Sequence, residues 1–103
     1  MAKQKEIERP LSAMNAVIYG KIVGLELALL ECNQLGIDIE CVDFTDHGHP
    51  SLIARANNIT QHMLRQGKAV NYGHTFQNGH RIYLHYAMIS GVKVKWKSTD
   101  YRH

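Results

Sequence analysis

The segment "HRIYLHYAMISGVKVKWKS", residues 80–98, reads as two β-strands around a tight turn, and the rest of the fold is arranged by it. Its second half alternates lysine with a large apolar residue. Lys93, Lys95 and Lys97 therefore share one face, and Val92, Val94 and Trp96 share the other. What the first half adds to each face depends on the turn, because a slip of one residue moves every side chain to the opposite side.

The stretches "QNG" (77–79) and "ISG" (89–91) each allow a two-residue or a three-residue loop. Two-residue loops place Tyr83 and His85 beside Val94 and Trp96, and leave Leu84, Tyr86 and Met88 among the lysines. Three-residue loops ending in left-handed Gly79 and Gly91 sort the two faces. One then carries Ile82, Leu84, Tyr86, Met88, Val94 and Trp96, and the other carries Arg81, Tyr83, His85, Lys93, Lys95 and Lys97. The sorted arrangement is the expectation, since it gives helices a dry surface and water a polar one. It makes Trp96 and Tyr86 core anchors.

Upstream, Pro10 or Ser12 opens a long helix that Gly36 closes, by the usual asymmetry of helix ends. Leu11, Met14, Ile18, Ile22, Leu25 and Leu29 recur every three or four residues and form the expected buried stripe. Beside it, Ala16, Gly20, Gly24 and Ala28 make a ridge of small residues. Each helical glycine costs about 1 kcal/mol relative to alanine, so the ridge calls for close packing within the chain or against a second copy. "IDIECVDF" (37–44) alternates as a strand, and Pro50 with Ser51 starts a second helix running to Gln66. His74 is expected at the core edge, facing inward.

The expected fold is α+β, helix–strand–helix followed by a three-stranded antiparallel meander, with two helices on one face of a four-stranded sheet. Residues 1–10 form a flexible charged arm, 11–98 a single domain and 99–103 a tail. One hundred and three residues suit one such unit. The charged start lacks an apolar leader, and the most apolar run, "IVGLELALL" (22–30), is short for a bilayer and carries Glu26. The expected setting is cytoplasmic, without membrane attachment. Cys32 and Cys41 have no metal-site or redox spacing and are expected to be small buried apolar residues.

The charge of +3 is unevenly distributed. Residues 1–50 hold four Lys or Arg against eight Asp or Glu, whereas residues 51–103 hold eight against Asp100 alone. Such a split points to a basic surface for nucleic acid, or to two halves that pair. Cations interleaved with aromatic groups on an open sheet suit single-stranded nucleic acid, so Arg81, Tyr83, His85, Lys93, Lys95 and Lys97 form the expected site for nucleic acid or an acidic protein. A non-enzymatic binding or regulatory module is the first reading. The second is a protein-interaction module, an inhibitor or adaptor, homodimeric through Ala16, Gly20, Gly24 and Ala28.

A metal-dependent enzyme comes third. Asp46, His47 and His49 in "TDHGHP" could bind a zinc-like ion if His62 or His74 joined them. Asp43, Asp46 and Glu40 are weaker candidates for magnesium, because residues 40 and 43 point to opposite faces of a strand. No phosphate loop, nucleophile elbow or cofactor motif occurs in the sequence.

Overall fold

The computed structural model describes residues 9–46 and 48–99. The expected arm (1–10) and tail (99–103) therefore lie, apart from residues 9, 10 and 99, outside the described residues. The element order is α1 (Ala13–Leu35), β1 (Ile39–Asp43), β2 (Ser51–Ala54), α2 (Asn58–Arg65), β3 (Val70–Gln77), β4 (His80–Ile89) and β5 (Val92–Ser98).

α1 begins where the Ser12 side chain accepts a hydrogen bond from the Asn15 amide at 3.1 Å. It ends at Gly36, whose φ of 87° only glycine adopts without strain. The Ile37 amide then closes the last turn on the Cys32 carbonyl at 2.8 Å. Asn57 caps α2 and also donates to the Gly36 carbonyl at 2.9 Å, tying the start of one helix to the end of the other.

The expected four-stranded sheet is wrong: the sheet has five strands in the order β1-β2-β5-β4-β3, and it is mixed. The protein remains α+β. The additional strand is β2, "SLIA", which pairs antiparallel with β1 and parallel with β5. Pro50–Ser51 does not start a helix. Three of the four β2 residues are buried, as a strand inside a sheet requires, and the helix start lies at Asn57. There Asn57 and Thr60 satisfy each other's backbone amides in a capping box.

The second correction concerns the turns. Gln77 pairs with His80 and Ile89 with Val92, so both loops have two residues, not three. Asn78 and Gly79 have φ of 52° and 78°, and Ser90 and Gly91 have 49° and 77°. Positive φ at both central positions is the type I′ turn, whose twist matches that of the flanking strands. Tyr83, His85, Ala87 and Ile89 consequently lie across from Ser98, Trp96, Val94 and Val92, while Leu84, Tyr86 and Met88 lie across from Lys97, Lys95 and Lys93.

The helices cover the Trp96 side. Ala28 and Cys32 of α1 and Leu64 of α2 pack with Leu52, Ala54, Ala87, Ile89, Val94 and Trp96 in one core. Trp96 is buried as expected, but Tyr86 is not a core anchor. His85 is fully buried in its place, with Nε2 2.6 Å from the Ser98 hydroxyl and its ring 5.9 Å from that of Trp96.

α1 also departs from expectation. Only Ala28 and Cys32 are sealed in the core and Leu25 packs beside it, while Leu11, Met14, Ile18, Ile22 and Leu29 are exposed. The helix meets the sheet along its small residues, not along its large apolar stripe. By length and composition it could cross a membrane, which the shorter 22–30 run did not suggest, and 6% of its most apolar window is buried.

Cys32 is buried and Cys41 exposed, contrary to the expectation for the latter. Burial, and secondarily the charge of Glu31, pushes the Cys32 thiol above its ordinary value. Titrating the native chain with a thiol-specific reagent should modify one cysteine rapidly, identified as Cys41 by peptide mapping, and Cys32 only after denaturation. Equal reactivity of both thiols in the native state would contradict this packing.

Candidate nucleic-acid interface on the open sheet face

The side of the sheet turned away from the helices presents residues from all five strands. β5 contributes Lys93, Lys95 and Lys97, and β4 contributes Leu84, Tyr86 and Met88. Ile53 of β2 lies beside Lys95 through the parallel pairing. On β3, a bulge inserts Tyr72 between Asn71 and Gly73. The Asn71 amide group holds that bulge by donating to the Gly73 and Leu84 carbonyls, each at 3.1 Å. Tyr72 and Tyr86 meet with ring centroids 5.6 Å apart and planes inclined by 57°.

The three lysines have different surroundings. Lys93 Nζ sits 4.8 Å from the Tyr86 ring centroid, a cation–π arrangement that holds charge and aromatic surface side by side. Lys95 Nζ donates to Asp43 Oδ2 at 2.8 Å, with both side chains about one-fifth exposed. Lys97 is exposed and has no ion pair among the described residues. Arg55 stands 3.8 Å from Glu40, both well exposed, and such a pair contributes little. The acidic first half and the basic second half thus meet at the β1 end of this face, while the β4–β5 end keeps its positive charge.

Asp43 is held firmly. Its Oδ1 accepts from the Thr45 amide at 2.8 Å and the Thr45 hydroxyl at 2.6 Å, leaving Oδ2 for Lys95. The Lys95 hydrogen bond, and then those from Thr45, hold the carboxyl far below the usual carboxylate range.

The expected site is only partly assembled. Lys93, Lys95 and Lys97 share the open face, but Tyr83 and His85 lie on the helix side because the loops are one residue shorter than supposed. Arg81 pairs with Phe76 at the far end of the hairpin, on the Tyr83 side, with its guanidinium 5.5 Å from the Phe76 ring. Tyr72, Tyr86 and Arg55 take the places of Tyr83, His85 and Arg81. The dipeptides Asn78–Gly79 and Ser90–Gly91 carried the signal that would have found Tyr86, whereas Tyr72 reaches this face only through the bulge, which the turns do not fix.

The small-residue ridge is divided as well. Ala28 is in the core and Gly24 is half-buried, whereas Ala16 and Gly20 are exposed. Among the described residues a Cβ added at Gly20 or Gly24 would meet nothing within 4 Å, so neither glycine makes room for a close neighbour there. Both border a cleft of about 530 Å³ between α1, residues 48–51 and the β4–β5 turn, which Met88 and Lys93 also line at the end of the sheet.

At the histidine-rich loop, Asp46 and His49 are exposed and form a turn in which the His49 amide donates to the Asp46 carbonyl at 3.1 Å. His47 lies outside the described residues. Among the described residues no three candidate ligands cluster, so His62 on α2 does not complete a site with Asp46 and His49. His74, expected inward, is exposed and packs edge-on against Phe76 at 5.8 Å.

Comparison with known proteins places the chain in one family, described as "Uncharacterised protein", which matches residues 4–99; the chain belongs to it. A relative in Haemophilus influenzae, described as "Uncharacterized protein", is 45% identical over 93 residues, covering 90% of this chain and 89% of its own length. No solved structure matches.

The Asp43 contacts predict a pH signature. A carboxyl whose folded pKa is depressed adds stability that is fully present above about pH 4 and declines as pH falls below it. Urea denaturation of the wild type and Asp43→Asn should show a constant deficit for the variant from pH 7 to about pH 4. The deficit should then narrow progressively in more acid solution. A deficit that does not change with pH would rule out the ionic contact as its source.

Proposed function

We propose that this protein is a non-enzymatic module that binds single-stranded nucleic acid on the open face of its sheet. The observation that carries the reading is the Tyr72–Tyr86 pair beside Lys93 and within the lysine row, on the side that neither helix covers. Every base has a π-face, so two tyrosines on a sheet accept bases of any identity by stacking, while neighbouring ammonium groups neutralise phosphates. A duplex hides those faces, so single strands are preferred. Lys93 and Lys97 are the main phosphate contacts in this reading, and Lys95 is largely neutralised by Asp43. Arg55 extends the track toward β2.

A second reading, a protein-interaction module, is favoured by one specific observation, the length of exposed apolar surface on α1. It uses the opposite side of the sheet and does not compete with the first.

Fluorescence anisotropy with short single- and double-stranded oligonucleotides tests the proposal. Single strands should bind more tightly, and three phosphate contacts should give a slope of about −2 for log affinity against log salt. Tyr86→Ala should weaken binding by roughly 5- to 150-fold, the 1–3 kcal/mol of one stacked base. Lys93→Glu combined with Lys97→Glu should weaken it further and flatten the slope. No binding at low salt, or binding unchanged by the lysine pair, would overturn the reading. Capture of an acidic peptide with oligonucleotides ignored would transfer the face to a protein partner.

A further inference from the structure

α1 carries an apolar seam that its own sheet and α2 leave mostly uncovered, with Val23 half-buried and the rest exposed. Ala13, Ala16, Gly20, Val23, Leu27 and Leu30 are separated alternately by three and four residues, the spacing of a coiled-coil seam. By helix geometry this line lies roughly a third of a turn away from Ala28 and Cys32, which face the core. Leu27 and Leu30 are each more than half exposed, and Ala13, Ala16 and Gly20 are exposed too. Among the described residues Gly20 has no neighbour that a Cβ would touch, so none of them offsets the cost of a mid-helix glycine.

We propose that the occupant is α1 of a second copy, packed antiparallel about a two-fold axis, so that the protein is a homodimer with its two sheets outermost. The size order along the seam selects this geometry. Small residues occupy the N-terminal half and large ones the C-terminal half. Antiparallel pairing sets Leu30 against Ala13 of the other copy, Leu27 against Ala16 and Val23 against Gly20, and the symmetry repeats each layer. Every layer then joins one large and one small side chain, and the helices can approach closely. Parallel pairing in register would stack Leu on Leu at one end and leave glycine opposite glycine in the middle.

Charge selects the same direction. Glu26 and Glu31 flank the seam on opposite sides, and in a parallel pair Glu26 of each copy would face Glu31 of the other across the contact. In the antiparallel pair Glu26 lies beside Tyr19 of the other copy, whose phenol can donate to the carboxylate, and Glu31 lies nearest Pro10. All four side chains are exposed. The contact spans about 18 residues of each helix and covers on the order of 600 Å² per copy, reaching the lower end of stable specific interfaces. It uses the opposite side of the sheet from the proposed nucleic-acid face, so either proposal can fail without the other.

Sedimentation equilibrium of the full chain should return twice the 11.7 kDa mass of one copy. Leu27→Asp with Leu30→Asp should return a single copy with unchanged far-UV circular dichroism, since neither side chain belongs to the core. Disulfide trapping in a Cys41→Ser background reports the direction. Ala16→Cys alone should not cross-link, whereas an equal mixture of Ala16→Cys and Leu27→Cys chains should give mixed dimers on oxidation. A monomer at every concentration accessible to sedimentation, or efficient cross-linking of Ala16→Cys to itself, would overturn the proposal. So would a chain that stays monomeric in buffer and associates only with phospholipid vesicles.

Discussion

The register between β4 and β5 is the constraint from which the rest follows. A two-residue turn with Ser90 and Gly91 both at positive φ aligns Ala87 with Val94 and His85 with Trp96. That alignment sends Val94, Trp96, Ala87 and Ile89 toward the helices, where they form the centre of the core. With β5 placed, β2 adds in parallel at Leu52 and Ile53, and β1 follows as its hairpin partner. The same alignment turns Tyr86 outward above Lys93. A loop longer by one residue would exchange the two populations of β4 and bury Tyr86 where His85 now sits.

How much of this could be read from the sequence depended on whether the deciding signal was local. Both ends of α1 were legible, because Ser12 and Gly36 act through backbone chemistry within a few residues. The inward face of β5 was legible from its strict alternation. β2 was not, because Pro50–Ser51 resembles a helix start and a four-residue apolar strand is identified by its neighbours on both sides. The side assignment of β4 failed for a more instructive reason. Sorting apolar from polar groups assumes that the uncovered face is polar, but here it carries Leu84, Tyr86 and Met88 among the lysines. The turn chemistry of Asn78–Gly79 was the better guide, since it depends on φ and not on what the faces contain.

Departures from ideal patterning concentrate where the protein has surface to offer. An isolated domain has no reason to leave Met88 and two tyrosines on an open sheet beside three lysines, or to expose the large apolar residues of its longest helix. Each departure is a local cost that binding can offset. The two surfaces lie on opposite sides of the sheet, and they suit different chemistry. One combines cations with aromatic faces; the other is a graded apolar rod. A dimer built on the second would place two copies of the first at its outer surfaces.

Because the register of the sheet and the proposed nucleic-acid face rest on which side Tyr86 and His85 occupy, a NOESY spectrum of the isotope-labelled chain is the most direct test. Cross-peaks are expected from the Tyr86 ring to the side-chain methylenes of Lys93 and to the Tyr72 ring, and from the His85 ring to the Trp96 indole. Cross-peaks from His85 to the lysine methylenes, with Tyr86 instead in contact with Ala28 or Cys32 of α1, would contradict that register.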